Sequence, residues 1–167
     1  MSPVNRFLHS IVWLLAVLVT ACAAQTPSSP QIVDHAFGFD ARVDSRDTEV
    51  LAFKYGVGGT PQTQAPFWKD EKDPRQGTNI NGPMPLPDTL HVKWRTRSTG
   101  EVFEELVNLK PLLPADMHRQ RVYFVVQGAQ LFVYLIEPVA RPPDWPVVGP
   151  RKFQYEKARL IYPSQPK

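Results

Sequence analysis

The sequence predicts an all-β fold: a single β-sandwich or partly open barrel of about seven mostly antiparallel strands with long Pro-rich loops. Three observations point there. Apolar and polar residues alternate in several short runs. Two continuous apolar runs, residues 122–126 and 131–136, are rich in Val, Leu, Phe and Tyr, as strands buried on both faces require. The 18 prolines are clustered rather than spread. No helix-length periodic segment separates the strand candidates, which argues against parallel βαβ units.

Taken in order, residues 36–43 place Phe37, Phe39, Ala41 and Val43 on one face of a strand, with Asp40 and Arg42 on the other. A polar turn at 44–47 leads to a second strand at 49–55. Gly56-Val57-Gly58-Gly59 lacks the Lys-Ser/Thr and the helix of a phosphate loop and reads as a turn. Residues 61–87 mix proline with Gly, Gln, Asn and charges, the composition of a loop. Residues 90–97 alternate again, with Leu90, Val92 and Trp94 toward a core and His91, Lys93, Arg95 and Arg97 away from it. Ser98-Thr99-Gly100 then suits a three-residue hairpin loop. That register sets Arg97 opposite Glu101, Lys93 opposite Glu105 and Val92 opposite Leu106. Residues 112–120 predict a short helical turn opened by Pro114-Ala115-Asp116. Gly128-Ala129 fits a two-residue turn between the two apolar runs. Five prolines in 138–150 predict a second long loop, and 151–162, with Phe153, Tyr155 and Lys157 alternating, closes the sheet.

The amino-terminal region has a different logic. Arg6 precedes an apolar stretch at 11–19 that is too short for a spanning helix, which needs about 20 apolar residues. A basic start, a short apolar core and small residues make a secretory signal. Leu18-Val19-Thr20-Ala21-Cys22 resembles a bacterial lipobox, which implies cleavage before Cys22 and lipid attachment to its sulfur and new amino group. Cys22 is the only cysteine, so it has no disulfide partner and lipidation gives it a purpose. Ala23 stands where an inner-membrane retention signal would place Asp, so the expected address is the outer membrane, facing the periplasm. The expected organisation is a signal peptide at 1–21, a lipidated tether at 22–31 made of Ala, Gln, Thr, Pro and Ser, and a β-domain at 32–167. A net charge of +3 is too small to argue for nucleic acid.

Catalytic chemistry is mostly not found. Ser45, Ser98 and Ser164 lack a Gly-x-Ser-x-Gly setting, and Cys22 is committed to lipid. His35, His91 and His118 are scattered, without metal-ligand spacing, and read as surface or rim residues. Glu104 and Glu105 are strand neighbours and point to opposite faces. No enzyme activity, cofactor or metal is expected. The Lys93, Arg95, Arg97 stripe reads as a solvated face paired with Glu101 and Glu105. Trp94, on an alternating strand, belongs to the core. Loop aromatics are more suggestive, because Trp, Tyr and Arg dominate protein interfaces. Phe67-Trp68 and Trp145, within Pro142-Pro143-Asp144-Trp145-Pro146, are the expected partner-binding anchors, with Lys69 and Arg141 as rim charges. The alternative for each tryptophan is to fold back and cap the sandwich.

Several segments together, His35-Ala36-Phe37-Gly38-Phe39-Asp40-Ala41, Leu86-Pro87-Asp88 with Val92-Lys93-Trp94-Arg95, Thr99-Gly100-Glu101-Val102-Phe103, Leu113-Pro114-Ala115-Asp116 and Val122-Tyr123-Phe124-Val125-Val126-Gln127-Gly128, resemble a family of small proteobacterial lipoproteins taken to be immunity proteins of type VI secretion phospholipase effectors. The resemblance implies a non-catalytic, membrane-tethered protein that binds a cognate lipase effector and plugs its cleft or blocks its lid. A structural or assembly lipoprotein of the cell envelope or of a secretion machine would share the anchor, tether and β-domain. A small-ligand carrier would need a cavity that the bulky residues of 122–136 are better suited to fill.

Overall fold

The computed structural model describes residues 30–57, 60–65 and 76–163. Among them are nine strands: β1 Ile32–Asp40, β2 Thr48–Val57, β3 Thr60–Ala65, β4 Gly77–Pro85, β5 Thr89–Thr96, β6 Val102–Asn108, β7 Arg121–Gln127, β8 Gln130–Ala140 and β9 Glu156–Tyr162. They form two sheets, ordered β4-β1-β7-β8-β9 (sheet I) and β3-β2-β5-β6 (sheet II). All pairs are antiparallel except β1 with β7. The architecture is a β-sandwich rather than a closed barrel.

Period-2 patterning builds the interior. Phe37 and Phe39 of β1, Phe53 and Tyr55 of β2, Leu90, Val92 and Trp94 of β5, and Phe124 and Val133 of sheet I are buried in one cluster between the sheets. Phe37 stacks on Tyr55 at 4.0 Å and Phe39 on Phe124 at 4.6 Å, offset aromatic pairs that add to plain area burial. Trp94 is core, as its strand pattern requires, and its indole N–H donates to the Gly128 carbonyl at 2.8 Å. β7 and β8 occupy the middle of sheet I, and β7 is buried on both faces. Its outward Tyr123 and Val125 join Ile136, Phe153 and Ala158 in a second, smaller cluster on the outside of sheet I.

Five expectations are corrected. The strand expected to reach Val43 ends at Asp40, and Ala41–Asp44 form one helical turn, α1. Residues 61–87 are not all loop, since β3 and β4 lie within them. Both are the outer strands of their sheets, where proline is tolerated because one row of backbone groups needs no ladder partner. The β5–β6 hairpin has four loop residues, because the Thr96 N–H donates to the Glu101 carbonyl and Gly100 takes φ +75°. The register therefore slips by one, and a one-residue slip exchanges the faces of the whole strand: Lys93 faces Glu104, Val92 faces Glu105 and His91 faces Leu106. Residues 112–120 form turns, not a helix. Arg151–Phe153 is a 3-10 turn that precedes β9.

The register also fixes two distinct ends. At the entry end lie the start of β1, the ends of β4, β2, β6 and β8, and the start of β9. At the far end lie α1 and the β5–β6 and β7–β8 turns.

Candidate interaction site

The expected anchors Phe67 and Trp68, with Lys69, fall outside the described residues, as do Cys22 and the residues around it. Arg141 and Trp145 are described, and both belong to the segment that joins β8 to β9. Proline keeps this segment out of the ladder, and it turns back as a strap over the outer face of sheet I. The Trp145 N–H donates to the Pro142 carbonyl at 3.0 Å and the Val148 N–H to the Pro146 carbonyl at 2.9 Å.

Trp145 holds the strap rather than tipping it. Its indole N–H donates to the Ala158 carbonyl of β9 at 3.0 Å. The Lys157 ammonium lies 4.8 Å from the ring centre and also meets Glu137 at 2.9 Å, a cation–π contact steadied by an ion pair. Arg141 donates from its guanidinium to the Trp145 carbonyl at 3.5 Å, and its backbone N–H donates to the Tyr155 carbonyl at 2.9 Å. Of the two roles open to Trp145, folding back on the sandwich is the one the geometry takes.

Gly149 follows, with φ +102°. A Cβ there would stand 3.1 Å from the Ala158 Cβ and 3.4 Å from the Tyr134 ring, so both the backbone angle and the close approach call for glycine. Beyond it the Arg151 N–H donates to one Asp44 carboxylate oxygen at 2.7 Å, while the Tyr123 hydroxyl donates to the other at 2.9 Å. Burial, then Asp44, pushes the Tyr123 phenol well above its ordinary range. Phe153 packs edge-on against Tyr123 at 4.9 Å, and the Arg121 guanidinium sits 5.3 Å over its ring while donating to Asn79 and Asn81.

Held at Trp145 and at Arg151, the strap turns Val147 and Val148 outward, 75% and 48% exposed. These two are exposed apolar residues that sequence reasoning missed. A Val-Val pair between Pro146 and Gly149 was the available signal, since no strand or helix pattern claims it. A partner meeting this surface would find it already ordered, which lowers the entropic cost of binding.

Other groups have structural employment. His91 and Lys93 meet the Glu104 carboxylate at 2.7 and 3.3 Å, and Arg95 meets Glu49 at 2.6 Å. Lys93 thus pairs with Glu104, where Glu105 was expected, a consequence of the register, and Arg95 pairs with Glu49 of β2. Hydrogen bonds from Lys93, then His91, hold Glu104 below its usual carboxylate range. Glu105 instead faces inward and accepts from the Tyr162 hydroxyl. His35, expected at a rim, is buried between the sheets. Among the described residues no cluster of His, Cys, Asp or Glu could hold a metal, and no helix is long and apolar enough to cross a membrane. No protein-family model, curated protein or solved structure matches the chain.

Proposed function

We propose that this chain is a lipid-anchored, periplasm-facing binding protein that captures a cognate phospholipase effector and neutralises it. The observation that carries the reading is the strap: a proline-stiffened loop fixed to sheet I at Trp145 and Arg151 that offers Val147 and Val148 to solvent. Hydrophobic residues on an ordered loop are what a tight, non-catalytic inhibitor presents, and a stable complex would bury about 1,600 Å² in total. Further support comes from the lipobox-like Cys22 segment and from the resemblance to small proteobacterial immunity lipoproteins. Tethering would place the binder at the bilayer a lipase attacks. Arg141, beside the strap, serves as a rim charge.

The test is a pull-down of the processed protein with a lipase encoded beside it, lipase activity being read in the same tube. Stoichiometric capture with loss of activity is expected. A folded lipase that is neither bound nor inhibited would overturn the pairing and favour an envelope-assembly role. Capture unaffected by Val147→Asp with Val148→Asp would move the interface off the strap.

A further inference from the structure

Both ends of the sandwich expose apolar side chains, and the entry end exposes the larger ones. Ile32, Val139 and Tyr155 stand there 59%, 50% and 76% exposed. At the same end, next to Ile32, opens a cleft of about 460 Å³ whose lining includes Leu86, Leu113 and Lys110. At the far end the turns present Arg46, Asp47, Arg97, Ser98, Thr99 and Gln127, all exposed, beside Val43 and Val102, 38% and 51% exposed. Ile32 and Tyr155 are more exposed than either valine, and exposed apolar side chains near an apolar-walled cleft mark a surface that is covered in use.

What covers it follows from where the chain leaves. Pro30 and Gln31 line the same cleft, and Cys22 lies eight residues upstream of Pro30. A stretch of that length spans at most ~30 Å even when fully extended. If Cys22 carries lipid, the entry end is the part of the domain the tether holds nearest the bilayer. We propose that this end docks directly on the phospholipid surface, with Ile32, Val139 and Tyr155 reaching the headgroup region. The inference rests on the lipid-anchor part of the proposed function. A tyrosine with an apolar ring and a polar tip suits that depth. Lys110, Arg119 and Arg141 at this end stand among Asp34, Asp88, Asp116 and Glu156, so no basic patch forms, and contact is expected with zwitterionic lipid and needs no anionic headgroup. Docking would stand the sandwich upright and hold the strap on its side wall, just above the membrane.

The experiment uses the full lipidated chain in vesicles of zwitterionic phospholipid. Cysteine is introduced singly as Tyr155→Cys or Ile32→Cys at the entry end and as Arg97→Cys at the far end, and each is labelled with a thiol-reactive fluorophore. Flotation reports the anchor, and a lipidated Cys22 has no free thiol, so the parent chain should take no label. The expected result is several-fold stronger quenching by a bilayer-borne quencher at positions 155 and 32 than at 97, unchanged in high salt. Equal or absent quenching at all three positions, in protein that still floats, overturns docking while leaving the anchor intact. An entry end shielded from a water-soluble quencher yet untouched by the lipid quencher means that protein covers it, and also overturns the proposal. A parent chain that labels, or fails to float, removes the anchor itself.

Discussion

The imidazole of His35 and the phenol of Tyr55 meet inside the sandwich, 3.0 Å apart, and join β1 of sheet I to β2 of sheet II. The other ring nitrogen lies 2.9 Å from the Val33 carbonyl. A carbonyl only accepts, so Nδ1 carries the proton and Nε2 accepts from the phenol. The core thus holds a neutral histidine with both nitrogens satisfied.

Burial lowers the His35 pKa below its ordinary 6.5, against smaller opposing effects of the Val33 carbonyl and Asp34. The unfolded chain therefore binds the proton first as pH falls. The contribution of His35 is fully present above about pH 6.5 and is lost as pH drops through that value toward the lower folded pKa, with a slope of at most ~1.4 kcal/mol per pH unit. Chemical denaturation between pH 5 and 8 should show this loss. Tyr55→Phe should cost about 1–3 kcal/mol at pH 8 by leaving Nε2 without a donor. A His35→Gln variant whose stability keeps the parental pH slope would assign that slope to another group.

Gly38 shows how tightly β1 and β4 are joined. A Cβ at this position would meet the Thr78 carbonyl oxygen at 2.6 Å, and backbone cannot swing aside as a side-chain tip can. Gly38→Ala should therefore destabilise by about 1–3 kcal/mol through a displaced ladder, seen as a lower Tm.

Asp44 ties three elements together, accepting from Tyr123 of β7 and from the Arg151 N–H at the end of the strap while itself ending α1. Asp44→Ala would leave a buried phenol and a backbone N–H without their acceptor, at a cost of about 1–3 kcal/mol. Amide hydrogen exchange should quicken at Arg151 and Phe153 before it quickens in β7.

The pattern of recovered and missed elements has physical causes. β5 was legible because Leu90, Val92 and Trp94 alternate with charges, and β7 because a strand buried on both faces leaves a continuous apolar run; β8 has such a run too, but Phe132 and Tyr134 on its outer face are only half-buried, against the expectation of burial on both faces. β3 and β4 were not, because Pro61, Pro83 and Pro85 sit in outer strands, where the usual objection to proline lapses. The β5–β6 register was misread because Glu104 and Glu105 are both acidic, so either offers Lys93 a partner. Only the four-residue turn decides between them, and it puts Leu106, 66% exposed, on the outer face. His35 lies in an alternating strand beside Phe37 and Phe39, yet its polarity suggested a rim. The Tyr55 hydroxyl that makes its burial tolerable lies on another strand. Trp145 was singled out as a partner-binding anchor, with folding back as the alternative; the structure folds it back onto β9, and no sequence pattern decides between the two.

That distinction yields the sharpest prediction about the strap. Trp145→Phe removes the N–H that donates to Ala158 but keeps a ring under Lys157, and should cost about 0.5–1.5 kcal/mol. Trp145→Ala removes both and should release the loop, lowering Tm further and weakening partner capture. Val147→Asp together with Val148→Asp should behave oppositely, leaving Tm almost unchanged because both side chains already face water, while capture falls at least tenfold. The contrast separates a residue that positions the surface from residues that form it. Trp145→Ala with full affinity would show that binding does not need an ordered strap. A Val147 and Val148 double variant that melts early would show that these side chains support the fold instead.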